Sequence, residues 1–158
     1  MTQYSVLVAN KPLQEIDCSG ITEVTVRELK KLYPITETTV EQPWHSMDDD
    51  VRILHAADES AFGRLNIFEW HHPPYDLDEY NKKEYVYGVE GNWNSQFVMD
   101  LYNYLTRHIK QEQSAELIRF WAGDGYRPLV ERHLSLKAVE LHHLESVKDE
   151  DYIRIIFD

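Results

Sequence analysis

The clearest pattern along the chain is a four-residue repeat. Phe97, Leu101, Leu105 and Ile109 recur at intervals of four, Val98 and Tyr102 widen the stripe, and Asp100, Asn103, Arg107 and Lys110 fall on the other side. That spacing predicts one long amphipathic helix from about Ser95 to Gln111, laid against a core. Asn94 or Ser95 serves as its N-cap, and Arg107 and Lys110 sit in the late turns, where the helix dipole favours cations. After Gln113 the period changes. Glu116 to Ala122 (ELIRFWA) is short and bulky and predicts an inner strand. Ile118, Phe120 and Ala122 would face one way and Leu117, Arg119 and Trp121 the other. Gly123-Asp124-Gly125 stops it.

Five further runs have β character: Tyr4 to Ala9, Val51 to Ala57, Arg64 to Trp70, Glu84 to Val89 and Tyr152 to Phe157. Ala56 to Gly63 reads as a hairpin connection between the second and third of them. Thr25-Val26-Arg27-Glu28 fits a capping box and opens a short helix that Pro34 stops near Leu32. Pro128 suits the first position of another helix, over Pro128 to His133. Thr36 to Met47 reads as loop and Tyr75 to Lys83 as an acidic connector, while Ser135 to Leu144 has neither clean alternation nor a helical stripe. No repeat or linker divides the chain, so a single domain over residues 1–158 is expected. Strands and helices are not segregated along it. The expected fold is α+β: two layers, with a mixed or mostly antiparallel sheet of about five to six strands and two or three helices on one face.

Charge changes this picture more than overall composition does. The 158 residues include 28 acidic and 16 basic ones, a formal net charge of −12. Between Thr36 and Glu79 there are 11 acidic residues and 2 basic ones, so most of the excess lies there, with Asp48, Asp49 and Asp50 at its centre. Phosphate backbones are held by clustered Lys and Arg, so a nucleic-acid partner is not expected. The acidic stretch is either a solvated set of loops or a face for a basic partner. Cys18 is the only cysteine, which forbids an internal disulfide and fits a reducing, cytoplasmic compartment. The opening MTQYSVLVAN has no charged n-region or long apolar h-region, and no apolar run approaches the length of a membrane span, so neither a signal peptide nor a membrane partner is expected.

Residues with the character to carry chemistry are few. There is no phosphate-binding glycine loop, no dinucleotide fingerprint and no nucleophile elbow, so no cofactor is expected. Asp124, between two glycines after a core strand, is the one weak catalytic candidate, since such loops often bear function; the plainer reading is a turn residue bonded to its own backbone. Eight histidines include the pairs His71-His72 and His142-His143, but none has zinc-ligand spacing. His55, Glu69 and His71, if brought together across paired strands, are the only metal candidates. Arg119 and Trp121 on one strand, with Tyr152 and Arg154 on the last, have the composition of an interface; they would form a binding surface on the sheet face that helices leave open. The alternative is that the two arginines pair with neighbouring carboxylates. The sequence thus points first to a non-enzymatic module that binds a protein, through Asp48, Asp49 and Asp50 or the Arg/aromatic face. Small acidic neutralisers of basic proteins, such as immunity proteins and antitoxins, are an analogy of charge and size only. The second reading is a small enzyme or ligand-binding domain with a pocket near Asp124, Trp121 and a histidine.

Overall fold

The computed structural model describes residues 1–158. In chain order the elements are β1 (Thr2–Ala9), β2 (Ile16–Asp17), β3 (Thr22–Thr25), α1 (Val26–Leu32), β4 (Arg52–His55), β5 (Asn66–Glu69), β6 (Tyr85–Glu90), α2 (Ser95–His108), β7 (Glu116–Ala122), β8 (Val130–Leu134), α3 (Leu141–Glu145) and β9 (Ile153–Phe157). The fold is α+β, with a seven-stranded mixed sheet ordered β2-β5-β6-β1-β7-β9-β8 and a separate two-stranded sheet, β3-β4. Backbone contacts group the chain into two compact units, residues 1–18 with 63–158, and residues 19–62.

The larger unit is built on the α2 stripe. Asn94 caps the helix by accepting from the Phe97 amide at 3.0 Å, and Phe97, Leu101 and Leu105 lose all exposure to solvent, with Ile109 nearly so. They pack with Leu7, Leu117, Ile153 and Ile155 on one face of the sheet, joined by Leu144 of α3 and by Val147. α2 ends at His108, three residues short of the expected limit, because Ile109 turns extended and a 3-10 turn follows over Gln111–Gln113. β7 has the expected bounds and alternation. Ile118 and Phe120 join Val6 and Val8 on the opposite face, against Leu77 of a 3-10 turn, Tyr75–Glu79, and Tyr80 just after it. That turn is the stretch read from sequence as an acidic connector.

Two expectations fail for the same reason: partners distant in sequence overrode local signals. Residues 128–133 do not form a helix. Val130–Leu134 is an edge strand, parallel to β9, with Arg132 opposite Ile155 and Leu134 opposite Phe157. Pro128 lies just before it, so its missing amide costs the ladder nothing. Nor do β4 and β5 form a hairpin. β4 pairs with β3, and β5 pairs with β2 and β6. A 3-10 turn over Glu59–Gly63 occupies the intended connection. Both overlooked strands are short: β2 has two residues, and β3 (TEVT) carries one apolar residue among four.

The smaller unit holds α1 and the β3-β4 pair. The capping box forms as its spacing predicts: Glu28 N–H donates to Thr25 Oγ1 at 3.2 Å and Thr25 N–H to Glu28 Oε2 at 2.8 Å. The next free amides of α1 are satisfied by the acidic loop, Val26 N–H by the Val51 carbonyl (2.9 Å) and Arg27 N–H by that of Asp49 (3.0 Å).

Candidate functional site

The Arg/aromatic surface read from sequence does not form, because its members lie on opposite faces of the sheet. β7 and β9 are antiparallel with Arg119 opposite Ile153 and Ile118 opposite Arg154. Arg119 and Trp121 therefore share the helical face, and Arg154 shares the other. Arg119 donates from Nη1 to the Val147 carbonyl (3.1 Å) and from Nη2 to Gln3 Oε1 (2.7 Å), and its guanidinium stands 5.4 Å from the Trp93 ring centre. Burial lowers its pKa, opposed by Asp151 and Asp149. Trp121 Nε1 donates to Asp151 Oδ1 at 3.1 Å. These contacts tie the 146–151 segment to the sheet. On the other face, Arg154 donates to the Tyr80 carbonyl and lies 3.9 Å from Glu116 and 3.8 Å from Glu131. Pairing with neighbouring carboxylates, the plainer of the two sequence readings, is realised for Arg154; Arg119 binds a carbonyl and an amide instead.

Asp124 is held, not poised. Its Oδ2 accepts from the Tyr152 hydroxyl (2.8 Å) and from Arg127 Nε (3.3 Å). The Tyr152 bond, then Arg127, keeps its carboxyl below the usual range, while burial, then the bond to Asp124, pushes the Tyr152 hydroxyl up to about 12. A carboxylate bonded to both Tyr152 and Arg127 clamps the loop after β7. Gly123 and Gly125 supply the positive φ that this loop needs (88° and 73°), and the Gly123 amide donates to Asp76 Oδ2 at 2.5 Å. Trp121 and Asp124 thus serve different partners, and no histidine hydrogen-bonds to either.

The three metal candidates are not aligned by strand pairing, since β4 runs beside β3 and not beside β5. No group of three His, Cys, Asp or Glu side chains is placed to hold a metal ion. Cys18 is free and half-buried. Burial, then Asp100, raises its pKa, with Arg64 opposing.

Asp48, Asp49 and Asp50 lie together on the smaller unit, but they are not equivalent. Lys30 Nζ donates to Asp49 Oδ1 at 2.9 Å, and Arg27 lies 3.8 Å from Asp49 and 3.3 Å from Asp50. The Lys30 bond and charge, with a smaller contribution from Arg27, lower the Asp49 pKa. Asp48 has no ion pair. The triad is therefore part pin, fastening the loop to α1, and part free charge.

The same unit carries a groove that the sequence reading missed. It has a volume of about 500 Å³ and is walled by Leu29 of α1 and Tyr33 just after it, by Val40 and Trp44 of the following segment, and by Ile53 and Leu54 of β4. The Tyr33 hydroxyl bonds His55 Nε2 at 3.2 Å across it, and His45 Nδ1 accepts from the Gln42 amide at 3.2 Å, which fixes the turn that presents Trp44. Eight of the thirteen exposed large apolar residues of the chain belong to this 44-residue unit, Val40 and Leu54 being 77% and 72% exposed. The exposed bulky apolar residues are thus concentrated in this unit. The available signal was Val40 and Trp44 standing in an otherwise polar loop. No helix is long and apolar enough to cross a membrane. No family model, curated protein or solved structure matches this chain.

Proposed function

We propose that the protein is a non-enzymatic, cytoplasmic protein-binding module whose partner is basic, and that residues 19–62 carry the contact face. The observation behind this is the coincidence, within 44 residues, of an apolar groove, most of the exposed bulky apolar side chains, and carboxylates without internal partners. The unit has nine acidic and four basic residues, and Arg27, Lys30 and Arg52 are each engaged with its own carboxylates. Glu37, Glu41, Asp48 and Glu59 face solvent unpaired. Apolar groups supply the affinity of such a face, while the charge sets which partner approaches and how fast. A neutraliser of a basic protein fits this reading.

The test uses the partner recovered by affinity capture from the source cell. Its association rate is measured against ionic strength for wild type, Asp48→Asn and Asp49→Asn. Attraction over the Debye length of roughly 10 Å at 0.1 M makes the wild-type rate fall steeply with salt, and each substitution flattens the dependence. Three superimposable salt curves, or a recovered partner without a basic surface, overturn the proposal.

A further inference from the structure

Ile53, Leu54, His55 and Ala56 all border the groove of the smaller unit. Successive side chains of a strand point to opposite faces, so consecutive residues meet one cavity together only along the strand's edge. The other edge of β4 is taken by β3, with Val24 opposite Ile53 and Thr22 opposite His55. The bond from Val26 N–H to the Val51 carbonyl continues this ladder by one pair. Hydrogen-bonded pairs alternate in an antiparallel ladder, so Val24–Ile53 and Thr22–His55 are also bonded pairs, and the peptide groups of Arg52 and Leu54 point away from β3. On that side β4 makes no backbone hydrogen bond.

Proteins usually blunt such an edge with a proline, a lysine or a covering element. Here its one charged residue, Arg52, lies 4.0 Å from Glu23 of β3, and Leu54 stands exposed beside apolar sockets. An unpaired strand edge with sockets for alternate side chains is the receptor half of strand addition: main-chain bonds give affinity, and the sockets give specificity. Charge selects among extended segments. Glu41 falls between the groove residues Val40 and Gln42, and Asp48, Asp49 and Asp50 line the next hollow along the same segment, of about 740 Å³, with Lys30 and Met47. An acidic segment would meet Glu41 and Asp48, which carry no ion pair of their own and would repel it.

Resting on the protein-binding reading, we infer that β4 receives an extended segment of the partner by strand addition, with its apolar side chains entering the groove toward Tyr33, Val40 and Trp44 and its lysines or arginines meeting Glu41 and Asp48. The probe is a short blocked peptide alternating valine and lysine, added to the full ¹⁵N-labelled chain. The expected result is movement of the Arg52 and Leu54 amide signals with slowed hydrogen exchange at both. Two control peptides bind about tenfold more weakly or worse: one with glutamate for lysine, and one N-methylated on alternate residues, which keeps charge and shape but removes about a hydrogen bond's worth of affinity per contact. Equal binding by the N-methylated peptide overturns strand addition, and equal binding by the glutamate peptide overturns the charge selection. Concentration-dependent movement of the same amides without peptide means that copies of the chain pair at this edge, which overturns the assignment of the occupant. A natural partner that depends on Asp48 while the valine–lysine peptide leaves β4 unmoved refutes strand addition and leaves the protein-binding reading intact. Peptide binding at β4 alongside a natural partner indifferent to Asp48 does the reverse.

Discussion

Leu101→Ala tests the packing on which the larger unit rests. Leu101 lies in the middle of α2 with no exposure, and its neighbours at i−4 and i+4, Phe97 and Leu105, are equally buried against Leu7, Leu117 and Ile155. Alanine is at least as good a helix former as leucine, so the helix itself loses nothing. What is lost is the transfer free energy of three carbons, together with contacts that the remaining walls cannot restore. Those walls are a β-sheet and a capped helix end, which close poorly over a gap, so the loss falls at about 3–5 kcal/mol, the upper part of the range for such sites. At about 2–4 °C per kcal/mol for a chain of this size, melting falls by roughly 6–20 °C. The assay is urea unfolding by far-ultraviolet circular dichroism, with Met99→Ala on the exposed side of the same helix as control; Met99 is 40% exposed and its truncation stays within about 0.5 kcal/mol. The midpoint should drop for Leu101→Ala with the slope unchanged. A loss below about 1 kcal/mol, or one matched by Met99→Ala, refutes the packing described for α2.

Two further outcomes follow from single contacts in the same unit. Gly88 lies opposite Phe68, and a Cβ added there would clash with the Phe68 ring; Gly88→Ala displaces that ring and destabilises by about 1–3 kcal/mol, and a Phe68→Ala background relieves most of the loss in a double-mutant cycle. Tyr104 donates to the Gln14 carbonyl at 2.6 Å and burial raises its pKa, so the unfolded chain gives up this proton first, near pH 10; the stabilisation is complete below that pH and lost as pH rises toward the folded value, and Tyr104→Phe should remove up to about 1.4 kcal/mol per pH unit from the alkaline slope of unfolding free energy, an unchanged slope being the contrary result.

The parts of the fold legible in the sequence were those in which one element carries its own signal. The α2 stripe, the bounds of β7, the existence of β9 and the Thr25 capping box each rest on periodicity or a cap spanning a few residues. The parts that were not legible depend on a distant partner. Val130–Leu134 becomes a strand because β9 offers it a parallel edge, and Thr22–Thr25 because Arg52–His55 lies across from it. The candidate site divides along the same line. Alternation along β7 and β9 was read correctly within each strand, but which face of one joins which face of the other is set by register, and the register put Ile118 rather than Arg119 beside Arg154. Asp49 looked like one acid among three, because its partners, Arg27 and Lys30, stand about twenty residues away. Of the groove only Val40 and Trp44 in a polar loop were visible, since its walls come from three segments that only folding brings together.

The arginines explain why the two substitutions proposed for the acidic loop should differ. Seven of the eight are held by groups of their own unit: Arg27, Arg52, Arg64, Arg127, Arg132 and Arg154 by carboxylates, and Arg119 by a carbonyl and an amide. The arginines therefore leave almost no free guanidinium to meet a partner. Asp48→Asn and Asp49→Asn remove the same unit charge three or four ångströms apart along the chain, so they weaken long-range attraction alike and slow association by a similar factor. They part company once the complex has formed. A lysine or arginine arriving at Asp48 gains a carboxylate that nothing else uses, whereas one arriving at Asp49 must displace Lys30 and Arg27. Dissociation should accelerate for Asp48→Asn and stay nearly constant for Asp49→Asn, because affinity differences within one interface reside mainly in the off-rate. The free protein shows the opposite order. Asp49→Asn loosens the loop that satisfies the first amides of α1, a small effect because the pair is exposed, while Asp48→Asn leaves stability unchanged. Equal off-rates for the two variants refute a direct contact at Asp48 and reduce the acidic loop to a source of long-range attraction.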